Sequence, residues 1–398
     1  MSQATDDLLA AFRDRFARRD YLKAIQSCRD SLAINPRDSV PWRNLAAVYI
    51  ALGQDADAAT SVQYALELDP KDSHAWYARG VLSSRAGKHE EALHQFEKTV
   101  ELNPSQGEGY QGLAFTYEKL GDMGTAVYYW TRAYDSAPDN AEIARGFGVA
   151  LMRSGQLSKA AYYLRQALEH LPEWPEARME LGEILRRMNE DRDAVTELLR
   201  GLRVKQRPDG LVSLSRIHLK YREPRKALVH LQRALTLAPE YAPAHHVLGL
   251  TLTALGEWAE ASAQFERAYA LEPDNMEYAM DSAAGLAHVG KDLDRAYRLA
   301  AAVRIKEPNL PRAFHVMGWT QLLQGKHLDA FAELEKARTL LEMRGLPEPW
   351  AAEMYEHLAQ CYTAMNDAMM AREMYSRALE ADPGRREEWL KRAQALNG

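Results

Sequence analysis

Cysteine is almost absent from this 398-residue sequence: Cys28 and Cys361 are the only two. Two thiols so far apart make no disulfide framework, and both read as small buried hydrophobes. No stretch reaches the roughly 18–20 apolar residues that a membrane span needs. The start, MSQATDDLLAAFRDRFARRD, has no basic segment followed by an apolar run. It does not read as a signal peptide, so the expected compartment is cytoplasmic. Charge of one sign is scarce too. Fifty Lys and Arg oppose 56 Asp and Glu, a net of −6, which gives no global attraction to nucleic acid. The chemistry-bearing motifs are missing: no H-E-x-x-H, no cysteine cluster, no G-x-x-x-x-G-K-S/T, no G-x-S-x-G. His245 and His246 are adjacent, so on a helix their side chains diverge by about 100°. No enzyme activity, metal or cofactor is expected.

What is there is a period. An alanine recurs at Ala24, Ala58, Ala92, Ala126, Ala160, Ala194, Ala227, Ala261, Ala296, Ala330 and Ala371. The spacing is 34 five times, then 33, 34, 35, 34 and 41. A proline closes most units, with Gln206 and Glu342 in its place in two. A glycine marks the mid-unit turn at Gly53, Gly87, Gly121, Gly155, Gly256, Gly290 and Gly325, and Asn189 replaces it once. The unit Ser73 to Pro104 is typical. Trp76, Gly80 and Ser83 share one helical face, Gly87 breaks the pattern, and Ala92, Phe96 and Thr99 line a second helix. A period of this length means stacked helix pairs.

At these residues the chain resembles the tetratricopeptide repeat (TPR) family, whose pattern is W-x2-L-G-x2-Y, A-x3-F, P. One copy reads Trp42-Leu45-Ala46-Tyr49, Ala58-Val62-Ala65, Pro70. Another reads Tyr110-Leu113-Ala114-Tyr117, Ala126-Trp130-Ala133, Pro138. A third reads His245-Leu248-Gly249-Leu252, Ala261-Phe265-Ala268, Pro273. The resemblance implies an all-α solenoid, a right-handed superhelix of roughly eleven repeats. It implies protein binding rather than catalysis, because such a fold is a platform. The expected divisions are a degenerate first repeat at 1–38, four regular repeats at 39–174 and two irregular basic repeats at 175–241. Four repeats at 242–383 follow, with a longer loop near 342–351, then a capping helix at 384–398. In the irregular part, GLRVKQRPDG is expected to fray or loop. Near 342–350 a longer loop or an extended helix end is expected.

Charge patterning singles out one stretch. From Arg186 to Arg233 there are thirteen basic and six acidic residues, a net of +7 within a chain of −6. In the family, first helices line the concave groove. Carried onto this chain, that places Tyr77 and Phe115 in an early aromatic section. Arg145, Arg153, Glu183, Arg186, Arg187, Arg216 and Lys220 form a mixed but mainly basic centre, and His246, His315 and Trp319 a late section. Such a groove suits a peptide or helix with acidic residues, since Arg binds carboxylates bidentately. The alternative for the Arg and Lys residues is plain solvation and pairing with nearby glutamates. The family's carboxylate clamp is absent. Arg43 could fill its first place, but Ala47, Ala78, Glu108 and Gly112 stand where the remaining clamp residues belong. Self-assembly into a homo-oligomer is the runner-up. RNA binding through 186–233 ranks below it, since Tyr221 is the one stacking aromatic there.

Overall fold

A computed structural model describes residues 3–345 and 348–395. The described residues form twenty-three α-helices and one short 3₁₀ turn. They divide into two compact units, 1–205 and 206–398. Unit one contains the pairs α1 (Gln3–Ala17) with α2 (Tyr21–Ile34), α3 (Ser39–Leu52) with α4 (Asp55–Leu68), and α5 (Ser73–Arg85) with α6 (His89–Leu102). It continues with α7 (Gly107–Lys119) and α8 (Met123–Ser136), α9 (Ala141–Arg153) and α10 (Leu157–His170), α11 (Pro175–Arg187) and α12 (Asp191–Val204). Unit two contains α13 (Pro208–Lys220) with α14 (Pro224–Leu237), α15 (Ala242–Leu255) with α16 (Trp258–Leu271), and α17 (Met276–His288) with α18 (Leu293–Lys306). It ends with α19 (Pro311–Leu323) and α20 (His327–Arg344), α21 (Ala351–Ala364) and α22 (Ala368–Ala381), and the single helix α23 (Arg386–Ala395). Within each unit every pair packs on the next.

The starts and stops follow from residue chemistry. Asp72 Oδ1 accepts from the backbone N–H of His74 and Ala75 at 3.0 and 3.2 Å, satisfying two groups that the helix leaves orphaned. Asn140 and Asn275 cap α9 and α17 in the same way. Proline opens α11, α13, α14 and α19, where its missing N–H costs nothing. Each of the eleven pairs turns through a left-handed residue. Seven use glycine, while Arg19, Asn189, Arg222 and Asn366 adopt φ near +60° without it. Asp292 is a further left-handed residue at the 35-residue spacing, and it caps α18.

The core is built from large residues seated on small ones. All eleven crossing alanines are buried. A Cβ on Gly80 or on Gly112 would come within 2.5 Å of the Phe96 ring, so both glycines seat the same phenylalanine. Gly146 lies equally close to Trp130, which is wholly buried.

At two places the structure chooses between the alternatives read from the sequence. GLRVKQRPDG loops only at 205–207 and does not fray: α12 runs through Gly201 to Val204, and Pro208 starts α13. Gly201 is buried there, and its missing side chain lets the Pro175 carbonyl and Met179 approach. The longer spacing near 342–350 is taken up first by an extended helix end. Helix α20 runs 18 residues and stops at left-handed Gly345. Leu346 and Pro347 of that expected loop lie outside the described residues, as do Leu396, Asn397 and Gly398 of the expected capping helix.

Candidate functional site

The basic centre predicted from the sequence turns out to be largely spent inside the chain. Arg145 makes a two-pronged bond to Glu180, through Nε at 2.7 Å and through Nη2, and lies over Trp174. Arg153 donates to Glu118, which also accepts from Trp130 Nε1 at 2.7 Å. Arg186 grips Glu183 through two bonds of 2.8 and 2.7 Å, and that pairing raises its pKa. Arg187 is exposed and donates to the Met152 carbonyl at 3.3 Å. In unit two, Lys220 lies over the Tyr221 ring at 6.0 Å, and half-buried Arg216 acts electrostatically on Tyr241 and Tyr278. Of the early aromatics, Tyr77 is half-buried against Phe96, and burial pushes its hydroxyl up to about 12. Phe115 is 45% exposed and meets Trp130 edge-on.

His245 shows what the family's first-helix tryptophan does. Trp76 Nε1 donates to the Pro70 carbonyl at 2.9 Å. Arg178 Nε donates to Pro172 and His245 Nε2 to Pro239, both six residues back and both at 2.9 Å. The position needs a flat side chain with an N–H, which is why Arg and His can replace Trp.

The late section is a different environment. His246 is fully buried and bonds Asp281 at 2.6 Å through Nε2. Burial pushes the Asp281 carboxyl up, but the His246 bond and Arg312 outweigh it and hold it below its ordinary value. His246, Glu277 and Asp281 bring three ligand atoms within 4.8 Å of one another. Arg312 donates to the other Asp281 oxygen, so a guanidinium already supplies the positive charge a metal would bring there.

Beside this cluster lies a cleft of about 490 Å³ within unit two. Its walls come from α15, α16, α17, α19, the segment after α20, and α21. The cleft is lined with rings. Trp258 stacks on His288 at 4.0 Å, and His288 meets Trp319 edge-on at 4.5 Å. His315 lies parallel to Trp350 at 5.2 Å and to Trp319 at 6.0 Å. Behind them His315 Nε2 shares a 3.1 Å hydrogen bond with His357 Nδ1. Burial holds His357 down at about 3 and His288 at about 4, and it lowers His315 well below its ordinary value. These imidazoles are therefore neutral near pH 7. His315 is 2% exposed and its Nδ1 has no partner among the described residues. Trp258, by contrast, is 38% exposed.

Glu353 reaches into the same cleft from α21. Burial pushes its carboxyl up against the pull of Arg385 and Arg312. Its nearest cationic-type atom is His288 Nε2 at 3.9 Å, beyond hydrogen-bonding reach. Sequence reasoning singled out His315 and Trp319 but missed Trp258, His288, Trp350 and Glu353. They come from four segments, two of them outside the first helices from which the groove was read.

A second cleft, of about 900 Å³, lies in unit one between α4, α5 and α6. Its charges are matched, with Arg85 on Asp55, Lys88 on Glu91 and Arg79 over Trp76.

Stacked antiparallel helix pairs with a 34-residue period define an α-helical solenoid. The tetratricopeptide repeat model matches residues 15–82, 151–212, 73–106, 242–275, 112–175 and 352–385. The chain belongs to the tetratricopeptide repeat family. No curated protein matches it. Among solved structures it is similar to the anaphase-promoting-complex heterotetramer Cut9-Hcn1, at 14% identity and TM-score 0.52, over 96% of this chain and 88% of that one. It is also similar to the human IFIT1 dimer with PPP-AAAA, at 18% identity and TM-score 0.52, over 85% and 89%. At such identities these likenesses concern the fold alone. No helix among the described residues is long and apolar enough to cross a membrane.

Proposed function

We propose that this chain is a protein-binding scaffold whose cleft between α15 and α21 seats a peptide or helix of a partner protein. One observation carries the reading. The cleft keeps an exposed tryptophan and a carboxylate with no hydrogen-bond partner among the described residues, whereas Arg145, Arg153 and Arg186 of unit one are each paired internally with a carboxylate. Concave, mostly apolar sites with a few polar groups are where segments dock. At Arg145, Arg153 and Arg186 an incoming carboxylate would have to displace Glu180, Glu118 or Glu183, which weighs against an acidic peptide at those three residues. A nucleic-acid reading, prompted by the RNA named with the IFIT1 structure, is disfavoured on charge. The cleft's four carboxylates face two guanidiniums, and phosphates need the reverse.

The experiment is site-specific photo-cross-linking in native lysate. A photoreactive residue replaces Trp258, and in a control it replaces Val229, an exposed residue of α14. A discrete protein set joined at 258 and missing at 229 is expected. The same set at both positions contradicts a cleft site. Cross-linking to a second copy of this chain alone replaces it with self-assembly. The cytoplasm is proposed as the compartment, and cell fractionation checks it.

A further inference from the structure

The cleft's chemistry points to what it holds, on the docking reading above. We infer that the docked segment presents a cationic side chain, Lys or Arg, which sits against the tryptophans and pairs with Glu353. The first reason is charge. Glu277, Asp281, Glu348 and Glu353 line the cleft against Arg312 and Arg344. Both guanidiniums are engaged, Arg312 with Asp281 and Arg344 with the Asn309 carbonyl at 3.0 Å. A surplus of negative charge is left over.

The second reason is Glu353 itself. A carboxylate drawn partly out of water gains from a charged hydrogen-bond donor far more than an exposed one does. Around it stand His288 on α17, Arg312 on α19 and Arg385 just before α23. His288 is neutral near pH 7, Arg312 is committed to Asp281, and Arg385 is committed to Glu388 through bonds of 2.7 and 2.8 Å. An arriving Lys or Arg supplies the missing donor.

The third reason is the walls. Trp258, 38% exposed, and Trp350 line the cleft over the buried Trp319, and tryptophan rings are the best aromatic partners for a cation. Neutral His288 and His315 extend this surface without repelling the ligand. In the tautomer where His315 Nε2–H donates to His357, the unpartnered Nδ1 adds one more acceptor.

The test uses the full chain and four probes, the acetylated and amidated peptides GSGRGSG, GSGKGSG, GSGLGSG and GSGEGSG. Tryptophan quenching and titration calorimetry read the binding. Saturable binding of the Arg and Lys peptides, with the Leu and Glu peptides at least about tenfold weaker, is expected. Glu353→Gln should lose the cationic preference by about tenfold while circular dichroism stays unchanged. Trp258→Ala, at an exposed position, gives an independent loss. Equal binding of the Leu peptide overturns the charge inference but leaves the docking reading intact. Binding of none of the peptides, with cross-linking at 258 still successful, does the same. Failure of both experiments removes both. Saturable binding of a 5′-triphosphate tetra-adenylate that Glu353→Gln strengthens would also overturn the inference.

Discussion

The arginines of unit one and the cleft of unit two look alike in a sequence, since both are charged residues beside aromatics. In the structure they are opposites. Arg145, Arg153 and Arg186 each end on a carboxylate of the same unit. Among the described residues, Glu353 in the cleft has no ion-pair partner nearer than a neutral imidazole at 3.9 Å. A charge count measures how many groups exist, and only the structure tells which are already matched. The +7 stretch is discounted further by acids just before it, since Glu176 takes Lys205 and Glu183 takes Arg186.

The comparison can be broken or sharpened by experiment. The largest effect expected is acid sensitivity of unit two, which carries His288, His315, His357 and His230, all lowered by burial. Below pH 6.5 an unfolded imidazole takes up a proton that folded His357 refuses until about 3. The unfolded state therefore binds more protons, and stability falls as pH drops from 6.5 toward 3, being complete above 6.5. At pH 4 His357 alone contributes a loss on the order of 3 kcal/mol. Urea unfolding of the full chain at pH 7 and pH 4, followed residue by residue with hydrogen exchange, should show unit two opening first in acid. Loss of protection confined to unit one would contradict it.

Overpacking comes next. Gly146→Ala drives a methyl into the Trp130 ring, and Ala126→Leu fills a fully buried crossing point. Each should cost about 1–3 kcal/mol in chemical denaturation and leave peptide binding in unit two in place. Arg145→Ala should cost about 1 kcal/mol, because partly buried Glu180 loses its two-pronged donor. An unchanged midpoint would mean that this arginine is merely solvated and still free to serve a partner. Smallest is Arg222→Gly, which relieves a left-handed residue at φ 57°. It should stabilise by about 0.5 kcal/mol, the difference between local strain and the extra entropy of unfolded glycine.

Much of the fold was legible because it is periodic. The crossing alanines and the turn glycines stand where the spacing put them. Left-handed turns at Arg19 and Arg222 were not legible, since no residue signal marks them and the packed pair imposes them. Gly201 read as a breaker because a sequence does not show which backbone lies opposite it. The ion pairs had a readable signal that went unused. Arg145–Glu180, Glu118–Arg153 and His246–Asp281 are each 35 residues apart, and Arg43–Asp72 and Glu176–Lys205 are 29 apart. A repeat of 34 residues sets positions 35 apart side by side on neighbouring pairs. The cleft was only half visible. His315 and Trp319 lie on a first helix, but Trp350 sits in the extension after α20 and Trp258 opens a second helix.

Calorimetric titration of the full chain with acetylated, amidated GSGRGSG decides whether the cleft of unit two, and not the set Arg145, Arg153 and Arg186 of unit one, holds the binding chemistry. Titrations of the Glu353→Gln variant and of a variant with Arg145, Arg153 and Arg186 all changed to Ala run beside it. Saturable binding that falls about tenfold in Glu353→Gln and is unchanged in the triple variant is expected. Binding that survives Glu353→Gln and is lost in the triple variant would contradict it.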